Sequence, residues 1–262
     1  MKRFAGLLVA AAMALPPAAW AQMQPHRAEY SLRLGTALNA PRIGTAVQDI
    51  ALDCSGWRIK RDVAVDVAFT PSFKIGVASR MEGEEEHGGN RFDYRAVQRQ
   101  NGVERETSGK VRRRDGAIHV ELVTPDGPER SVLPSFTLMP VAMVSSLIRR
   151  LKTGTLPDPL LMFGAEATAA AFQIHSRELG SEGLQARPPA LKRVDVPAER
   201  SWPIFLTVTR AGQPDANPVL SLRARVFDSG VLDQLTIDAG IVTVTAYLQA
   251  LQMHRPPTCH GP

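Results

Sequence analysis

Apolar and polar residues alternate with a period of two along most of this chain, a pattern typical of β-strands that bury one face. Between His26 and Leu38, for example, Ala28, Tyr30 and Leu32 fall on one side of the strand and polar residues on the other. The same alternation predicts further strands over residues 47–52, 57–69, 72–81, 91–100, 103–112, 117–124, 172–179, 191–196, 201–210, 219–228, 230–238 and 241–251.

Glycine-containing turns separate these strands. Three dipeptides favour the positive φ angles of tight hairpins and predict a meander in the middle of the chain, namely Asn101-Gly102, Asp115-Gly116 and Asp126-Gly127. Residues 82–90 contain Gly and Asn and are predicted as a connection, and residues 180–189 and 211–218 as surface loops. Residues 160–172 are ambiguous between helix and strand, because their helix-forming residues make only a short run.

One segment, residues 133–154, has helical periodicity instead. Its apolar residues recur at the spacing of one helix face, namely Val141, Val144, Leu147, Ile148 and Leu151. Pro140 suits a first turn, and Gly154 follows three basic residues, Arg149, Arg150 and Lys152, as a stop. An amphipathic helix must bury its apolar face, so we predict a mainly β domain whose antiparallel sheet packs on one helix near residues 139–153.

The N-terminus has the features of a secretory signal peptide. Lys2 and Arg3 precede an apolar run, and Ala19-Trp20-Ala21 provides a cleavage site, so we predict that residues 1–21 are removed. An uncleaved anchor is the alternative, but the run is shorter than a bilayer span requires. We therefore expect residues 22–262 to form a single β-rich domain in the periplasm, with no transmembrane segment.

The charge of the mature chain is ordinary for a water-soluble protein. Removal of Lys2 and Arg3 reduces the 31 basic residues to 29, against 26 acidic residues, which leaves a net charge of +3. This modest charge, together with export, argues against a nucleic-acid partner.

Cys54 and Cys259 are the only cysteines. In an exported chain a single pair is expected to form a disulfide, which would tie the second predicted strand to the last residues. Two unrelated buried thiols are the alternative. A redox-active pair is disfavoured, since the two residues lack the C-x-x-C spacing that lowers a thiol pKa.

No motif in the sequence indicates catalysis, a metal or a cofactor, and we expect none of the three. The acidic run of Glu82, Glu84, Glu85 and Glu86 with His87 could gather a cation, but its Gly-rich context favours a solvated hairpin tip. His119 and His175 alternate with apolar neighbours and are expected at the surface. His254 and His260 flank Cys259, but they are too few for a metal site once the cysteine is bridged.

Two basic clusters could contact anionic lipid or lipopolysaccharide. The first is Arg112, Arg113 and Arg114, and the second is Arg149, Arg150 and Lys152. The favoured interpretation is structural: charges at a strand end discourage edge pairing, and cations at the end of a helix interact favourably with its dipole.

Scattered short motifs resemble those of the EipB-like periplasmic proteins, a family with a domain of unknown function. They are His26-Arg27-Ala28-Glu29-Tyr30, Cys54-Ser55-Gly56-Trp57, Leu133-Pro134 with Thr137, Phe163-Gly164-Ala165, Trp202-Pro203, Phe227-Asp228-Ser229-Gly230-Val231 and Pro256-Pro257-Thr258-Cys259. The chain departs from the family at Phe163-Gly164-Ala165, where the family tends to carry an acidic residue. We therefore transfer no family role to that segment.

The resemblance implies a β-spiral, a long bent antiparallel sheet that curls around helical material like the periplasmic lipoprotein carriers. It implies a Cys54–Cys259 disulfide, no enzymatic activity, and a role in cell-envelope integrity with a periplasmic tetratricopeptide-repeat protein as a possible partner. We expect a monomer that binds a lipid, lipoprotein or protein on its curved sheet. The alternatives are a structural interaction protein with a filled interior and, least favoured, an envelope hydrolase that uses Asp53 or Asp66 with a histidine.

Overall fold

The computed structural model describes residues 23–70, 73–156, 159–165, 170–213 and 217–259. The predicted signal peptide and His260 lie outside the described residues. Within them the chain forms one α-helix, α1 (Pro140–Thr153), and a short 3-10 turn at Ser181–Gly183. The strands are β1 (His26–Leu34), β2 (Arg42–Leu52), β3 (Gly56–Thr70), β4 (Phe73–Glu86), β5 (Arg91–Gln100), β6 (Val103–Arg114), β7 (Ala117–Thr124), β8 (Gly127–Pro134), β9 (Leu160–Phe163), β10 (Ala171–Glu178), β11 (Ser201–Arg210), β12 (Leu220–Phe227), β13 (Leu232–Asp238) and β14 (Thr243–Met253).

These strands form one open antiparallel sheet in the order β8-β7-β6-β5-β4-β3-β2-β1-β14-β13-β12-β11-β10-β9. The chain starts in the middle at β1, winds outward to the edge strand β8, and crosses through α1 to the opposite edge at β9. It then returns strand by strand until β14 pairs with β1, where His26 lies opposite Met253. Both predicted elements, the mainly β sheet and the single helix, are confirmed.

Aromatic packing shows how strongly the sheet curls. Phe163 on β9 lies 6.3 Å from Phe92 and 5.9 Å from Tyr94 on β5, measured between ring centroids. In the sheet order β5 and β9 are ten strands apart. Strands in a flat sheet are spaced about 4.8 Å apart, so ten steps would separate these rings by roughly 48 Å. The two halves of the sheet must therefore face each other.

The helix lies between these halves. Val141 joins the apolar cluster of β2–β8, which includes Trp57 and Phe92, whereas Leu147 and Ile148 join the cluster of β9–β12. Leu147 is 3% exposed. Gly154 ends the helix as predicted, with a φ of 66° at the C-cap.

The segment between β8 and α1 connects the helix to the far edge of the sheet. Leu138 donates its backbone N–H to Leu161, and its carbonyl accepts from Phe163. From the other half, Arg113 donates to the carbonyl of Thr137 over 3.1 Å. The helix entry is thus held by both sides of the curl.

Several sequence expectations need correction. Residues 82–86 complete β4, and only residues 87–90 form the turn. Residues 191–196 form no strand; instead Val194 and Val196 pack against the cluster around Tyr30 and Leu32. The ambiguous region contains β9 and the start of β10. β8 was not predicted, because its charges and proline hide the alternation of a strand at a sheet edge.

Candidate functional site

A carboxylate from the sheet caps the start of α1. Met139, at the N-cap, makes no side-chain cap, and Pro140 has no backbone N–H to offer. Glu85, the penultimate residue of β4, accepts hydrogen bonds from Val141 N at 2.7 Å and from Ala142 N at 2.8 Å. Glu85 thereby satisfies two of the backbone donors that any helix start leaves free, in a position favoured by the helix dipole.

Burial controls the ionisation of this carboxylate. Glu85 is 2% exposed. Desolvation disfavours its charged form and raises the pKa of Glu85 to about 7, and the two backbone N–H groups oppose that rise only in part. Glu85 is therefore a buried acid that titrates near neutral pH.

Around Glu85 lies a cleft of about 280 Å³ between α1, the start of β3 and the end of β4. Its lining residues are Trp57, Glu85, His87, Leu138, Val141, Ala142, Ser145, Ser146 and Arg149. Arg149 donates to the hydroxyl of Ser146 over 3.1 Å, so these two polar groups are already partnered. The cleft is smaller than the usual 300–1,000 Å³ ligand pocket.

The cation site considered as the alternative for residues 82–87 does not form within the described residues. Along β4 the side chains alternate, so Glu82, Glu84 and Glu86 are exposed whereas Glu85 is buried on the opposite face. His87 contacts the backbone carbonyl of Asp53 through Nε2 at 3.1 Å. No group of three or more potential metal ligands converges within the part of the chain that the structure describes. The solvated-tip interpretation fits the exposed residues of this segment, but it is wrong for the buried Glu85.

The disulfide begins at Cys54, the residue after Asp53, whose backbone carbonyl contacts His87 of this cleft. Cys54 and Cys259 are bonded, with Cα atoms 5.6 Å apart, and the bridge spans 205 residues. It attaches the tail to the β2–β3 turn. The chain just before the tail is fixed as well, because His254 donates its backbone N–H to Pro25 and contacts Asp49 Oδ1 through Nε2 at 2.8 Å.

The pairing of Asp53 with a histidine suggested for an envelope hydrolase is not formed by His87, which contacts the backbone carbonyl of Asp53 and not its carboxylate. The Asp53 carboxylate accepts hydrogen bonds from Ser55 and Gly56 and pairs with Arg58. The hydroxyl of Ser55 in particular lowers the pKa of Asp53 to about 2, so this carboxylate is a poor base. Asp66 lies ten residues along β3 from Gly56, a distance of roughly 33 Å along an extended strand. Asp53 stabilises a turn.

The Phe163-Gly164-Ala165 segment has a packing role in this structure. Phe163 is 1% exposed and contacts the rings of Phe92 and Tyr94 across the curl. A Cβ on Gly164 would lie 2.3 Å from the Phe172 ring, so only glycine fits there without movement. The segment joins the two halves of the sheet.

Arg187, in the loop of residues 184–196, forms a buried ion pair with Asp233 of β13 that sequence reasoning missed. Arg187 Nη2 lies 2.7 Å from Asp233 Oδ1, and the two side chains are 13% and 6% exposed. Asp233 also accepts the backbone N–H of Leu248, while Tyr247 donates its hydroxyl to the carbonyl of Ala186. The loop is thus fastened to β13 and β14. An isolated arginine in a loop gave no sequence signal for this role.

The face of β2–β6 that points away from α1 forms an open groove of about 710 Å³. Small side chains line its floor, including Thr45, Ala64 and Ala78. Charged pairs surround the floor, namely Arg80 with Asp62, Lys60 with Glu82, Arg95 with Glu106 and Arg99 with Glu104. These exposed pairs add little stability, but they fix the pattern of charge that a partner would meet.

The basic residues of the two sequence clusters have different surroundings. Arg112 pairs with Asp93, and Arg113 points to Thr137, whereas Arg114 is exposed. In α1, Lys152 lies 3.7 Å from Asp228. His175 is exposed as predicted, but Nε2 of His119 is buried and makes no hydrogen bond within the described residues.

Comparison with known proteins identifies the family of this chain. The EipB-like family matches the chain over residues 17–255. The chain belongs to the EipB-like family. This confirms the resemblance drawn from the scattered motifs. No curated protein matches.

A solved structure has the same fold. The crystal structure of a β-barrel-like protein of a domain of unknown function from Brucella abortus aligns with a TM-score of 0.71 and 18% sequence identity. The alignment covers 89% of this chain and 99% of that one. Among the described residues of this EipB-like protein, no helix is long and apolar enough to cross a membrane.

Proposed function

We propose that this EipB-like protein is a non-enzymatic interaction protein of the periplasm, which supports the cell envelope by binding a protein partner on the outer face of its curled sheet. A single observation carries the proposal: the apolar face of α1 packs against both halves of the sheet. A carrier of the lipoprotein-shuttling type needs an apolar interior that a lipid chain can enter. Here the helix occupies that position.

The outer groove of β2–β6 is the surface best suited to a partner. Its volume of about 710 Å³ and its floor of small side chains can accept an element such as a helix. Both signs of charge border the floor, so the matching surface must also carry mixed charges. The tetratricopeptide-repeat protein implied by the family resemblance is made of helices and is a suitable candidate.

Site-specific photocrosslinking in the periplasm tests this proposal. A photoreactive amino acid replaces Ala78 on the groove floor, and the matched control replaces Ala250, an exposed alanine on β14. We expect a discrete protein adduct at position 78 and none at position 250. An adduct with lipid at position 78, or equal protein adducts at both positions, would contradict the proposal.

Native mass spectrometry of the purified protein tests the filled interior separately. We expect a mass that corresponds to the polypeptide alone. A stoichiometric lipid that is lost when Val144, a partly buried residue of α1, is replaced by a bulky residue would instead support an internal carrier.

A further inference from the structure

A second surface, at the edge formed by β6, β7 and β8, combines positive charge with exposed apolar side chains. Two adjoining cavities of about 290 Å³ and about 100 Å³ lie on it and share Arg114, His119 and Glu121. Strand register explains the arrangement, because Arg112 lies opposite His119, and His119 opposite Val132. All these side chains therefore project from one face.

Two of the four cations that line these cavities, Arg112 and Arg130, have a carboxylate partner, and the other two do not within the described residues. Across β2–β6 most exposed cations have a carboxylate partner, but Lys110 and Arg114 form no ion pair within the described residues. Glu121 is the one carboxylate lining the two cavities, and it lies 3.8 Å from Arg130. The edge therefore carries excess positive charge that faces solvent.

His119 adds an unused hydrogen-bonding group. Its Nε2 atom is buried and has no hydrogen-bond partner in the described parts of the chain. A buried polar atom without a partner is costly, and in folded proteins such atoms are usually satisfied by a protein group, an ordered water or a bound ion. A phosphate oxygen that enters the cavity beside Arg114 could accept a hydrogen bond from this imidazole.

Exposed apolar residues concentrate at the same edge. Val123 is 56% exposed, Val132 is 64% exposed and Phe136, which follows β8, is 70% exposed. Single exposed apolar residues are normal, but three of them beside unpaired cations match a surface whose charged groups meet lipid headgroups and whose apolar groups enter the interface.

We propose that the β6–β8 edge docks the protein onto a membrane surface that contains anionic phospholipids, through contacts of Lys110, Arg114 and His119 with headgroup phosphates and of Val132 and Phe136 with the interface. The charge complementarity favours this occupant over an apolar one. The role is independent of partner binding at the groove of β2–β6, because the two surfaces involve different residues.

Vesicle flotation tests the docking proposal. The purified protein is mixed with vesicles that contain phosphatidylglycerol or with vesicles of phosphatidylcholine alone, and we expect binding only to the former. The double variant Lys110→Gln/Arg114→Gln should bind roughly 30-fold more weakly, since each basic residue near an anionic surface contributes about 1 kcal/mol. The matched control Lys74→Gln/Arg193→Gln removes two exposed charges elsewhere and should change binding less than about threefold.

A charge-neutral variant distinguishes docking from diffuse attraction. Val132→Ser/Phe136→Ser keeps every charge and should still weaken vesicle binding, with an unchanged melting temperature for both patch variants. Equal binding by the patch and control charge variants would overturn the proposal. So would complete competition by inorganic phosphate, which would indicate a pocket for a small anion, or an absence of vesicle binding combined with Lys110- and Arg114-dependent capture of an acidic protein.

Discussion

The carboxylate of Glu85 lies 2.7 Å from the backbone nitrogen of Val141, across a separation of 56 residues. This hydrogen bond joins the end of β4 to the first turn of α1, and it fixes the start of the helix that fills the curl. We propose that the protein binds its partners on two outer surfaces because α1 fills the interior of the sheet. That proposal requires the hydrogen bond that holds the start of α1 to β4.

Substitution of Glu85 should destabilise the fold. Glu85→Ala leaves the buried N–H of Val141 and the partly buried N–H of Ala142 without their acceptor, and we expect a loss of about 2–4 kcal/mol in the free energy of unfolding. Glu85→Gln keeps one acceptor and should lose less. Urea unfolding at pH 5, where Glu85 still contributes most of its stability, measures both. Glu84→Ala, at the exposed neighbouring position, should change stability by less than about 0.5 kcal/mol, and an equally small effect of Glu85→Ala would refute this role.

The same residue should make stability depend on pH. Folding raises the pKa of Glu85 from an ordinary value of 4.5 to about 7, so between these values the folded protein holds a proton that the unfolded chain has released. Stability from this group is complete below pH 4.5 and is lost as the pH rises through 7, by about 3 kcal/mol in total.

The difference in unfolding free energy between the wild-type protein and Glu85→Gln isolates this contribution. We expect the wild-type advantage to decrease from pH 4.5 to pH 8. Other buried groups, such as His26, whose pKa is lowered by burial, are present in both proteins and cancel. A difference that is constant over this range, or that grows with pH, would show that Glu85 remains ionised in the fold.

Burial of the apolar face of α1 should contribute strongly to the free energy of unfolding. Leu147 is 3% exposed within the β9–β12 cluster, so Leu147→Ala should cost about 2–5 kcal/mol. Leu147→Asp should prevent stable folding, because it buries an unpaired charge. Arg149→Ala, on the exposed side of the same helix, is the control. A thermally unchanged Leu147→Asp variant would show that this face is not buried.

Loss of the Cys54–Cys259 bridge should lower stability without changing the fold. Closing a loop with a sequence separation of 205 restricts the unfolded chain, and removal of such a bridge costs at most about 5 kcal/mol by the chain-entropy relation. We expect Cys54→Ser/Cys259→Ser to retain its circular dichroism spectrum, since backbone pairing holds β14 as far as Met253. Two titratable thiols in the unreduced wild-type protein would contradict the bridge.

Much of this fold follows from local pattern. The two-residue alternation located most strands, and Pro140, the apolar spacing and Gly154 defined α1 closely. The family motifs then indicated a curled sheet. Local pattern cannot show which strands meet across the curl, and the contact between Phe163 and Phe92 depends on that long-range geometry.

The role of Glu85 was missed for a related reason. Its neighbours Glu82, Glu84 and Glu86 suggest a solvated tip. That prediction relied on the acidic, Gly-rich composition of the segment and not on the alternation of its residues between the two faces of a strand. The register did contain the signal, because Glu85 lies an even number of residues from the buried Met81 and so shares its face. A buried carboxylate needs a partner, and here that partner is a helix 56 residues away in the sequence.

Native-state hydrogen exchange of the α1 amides tests the filled interior most directly. If the helix occupies the curl, the amides of Leu147, Ile148 and Leu151 will exchange only through global unfolding, with the same free energy as amides of β5 such as that of Phe92. Exchange of these helix amides with a free energy several kcal/mol lower, while β5 stays protected, would show that α1 leaves the sheet and that the interior is open to a ligand.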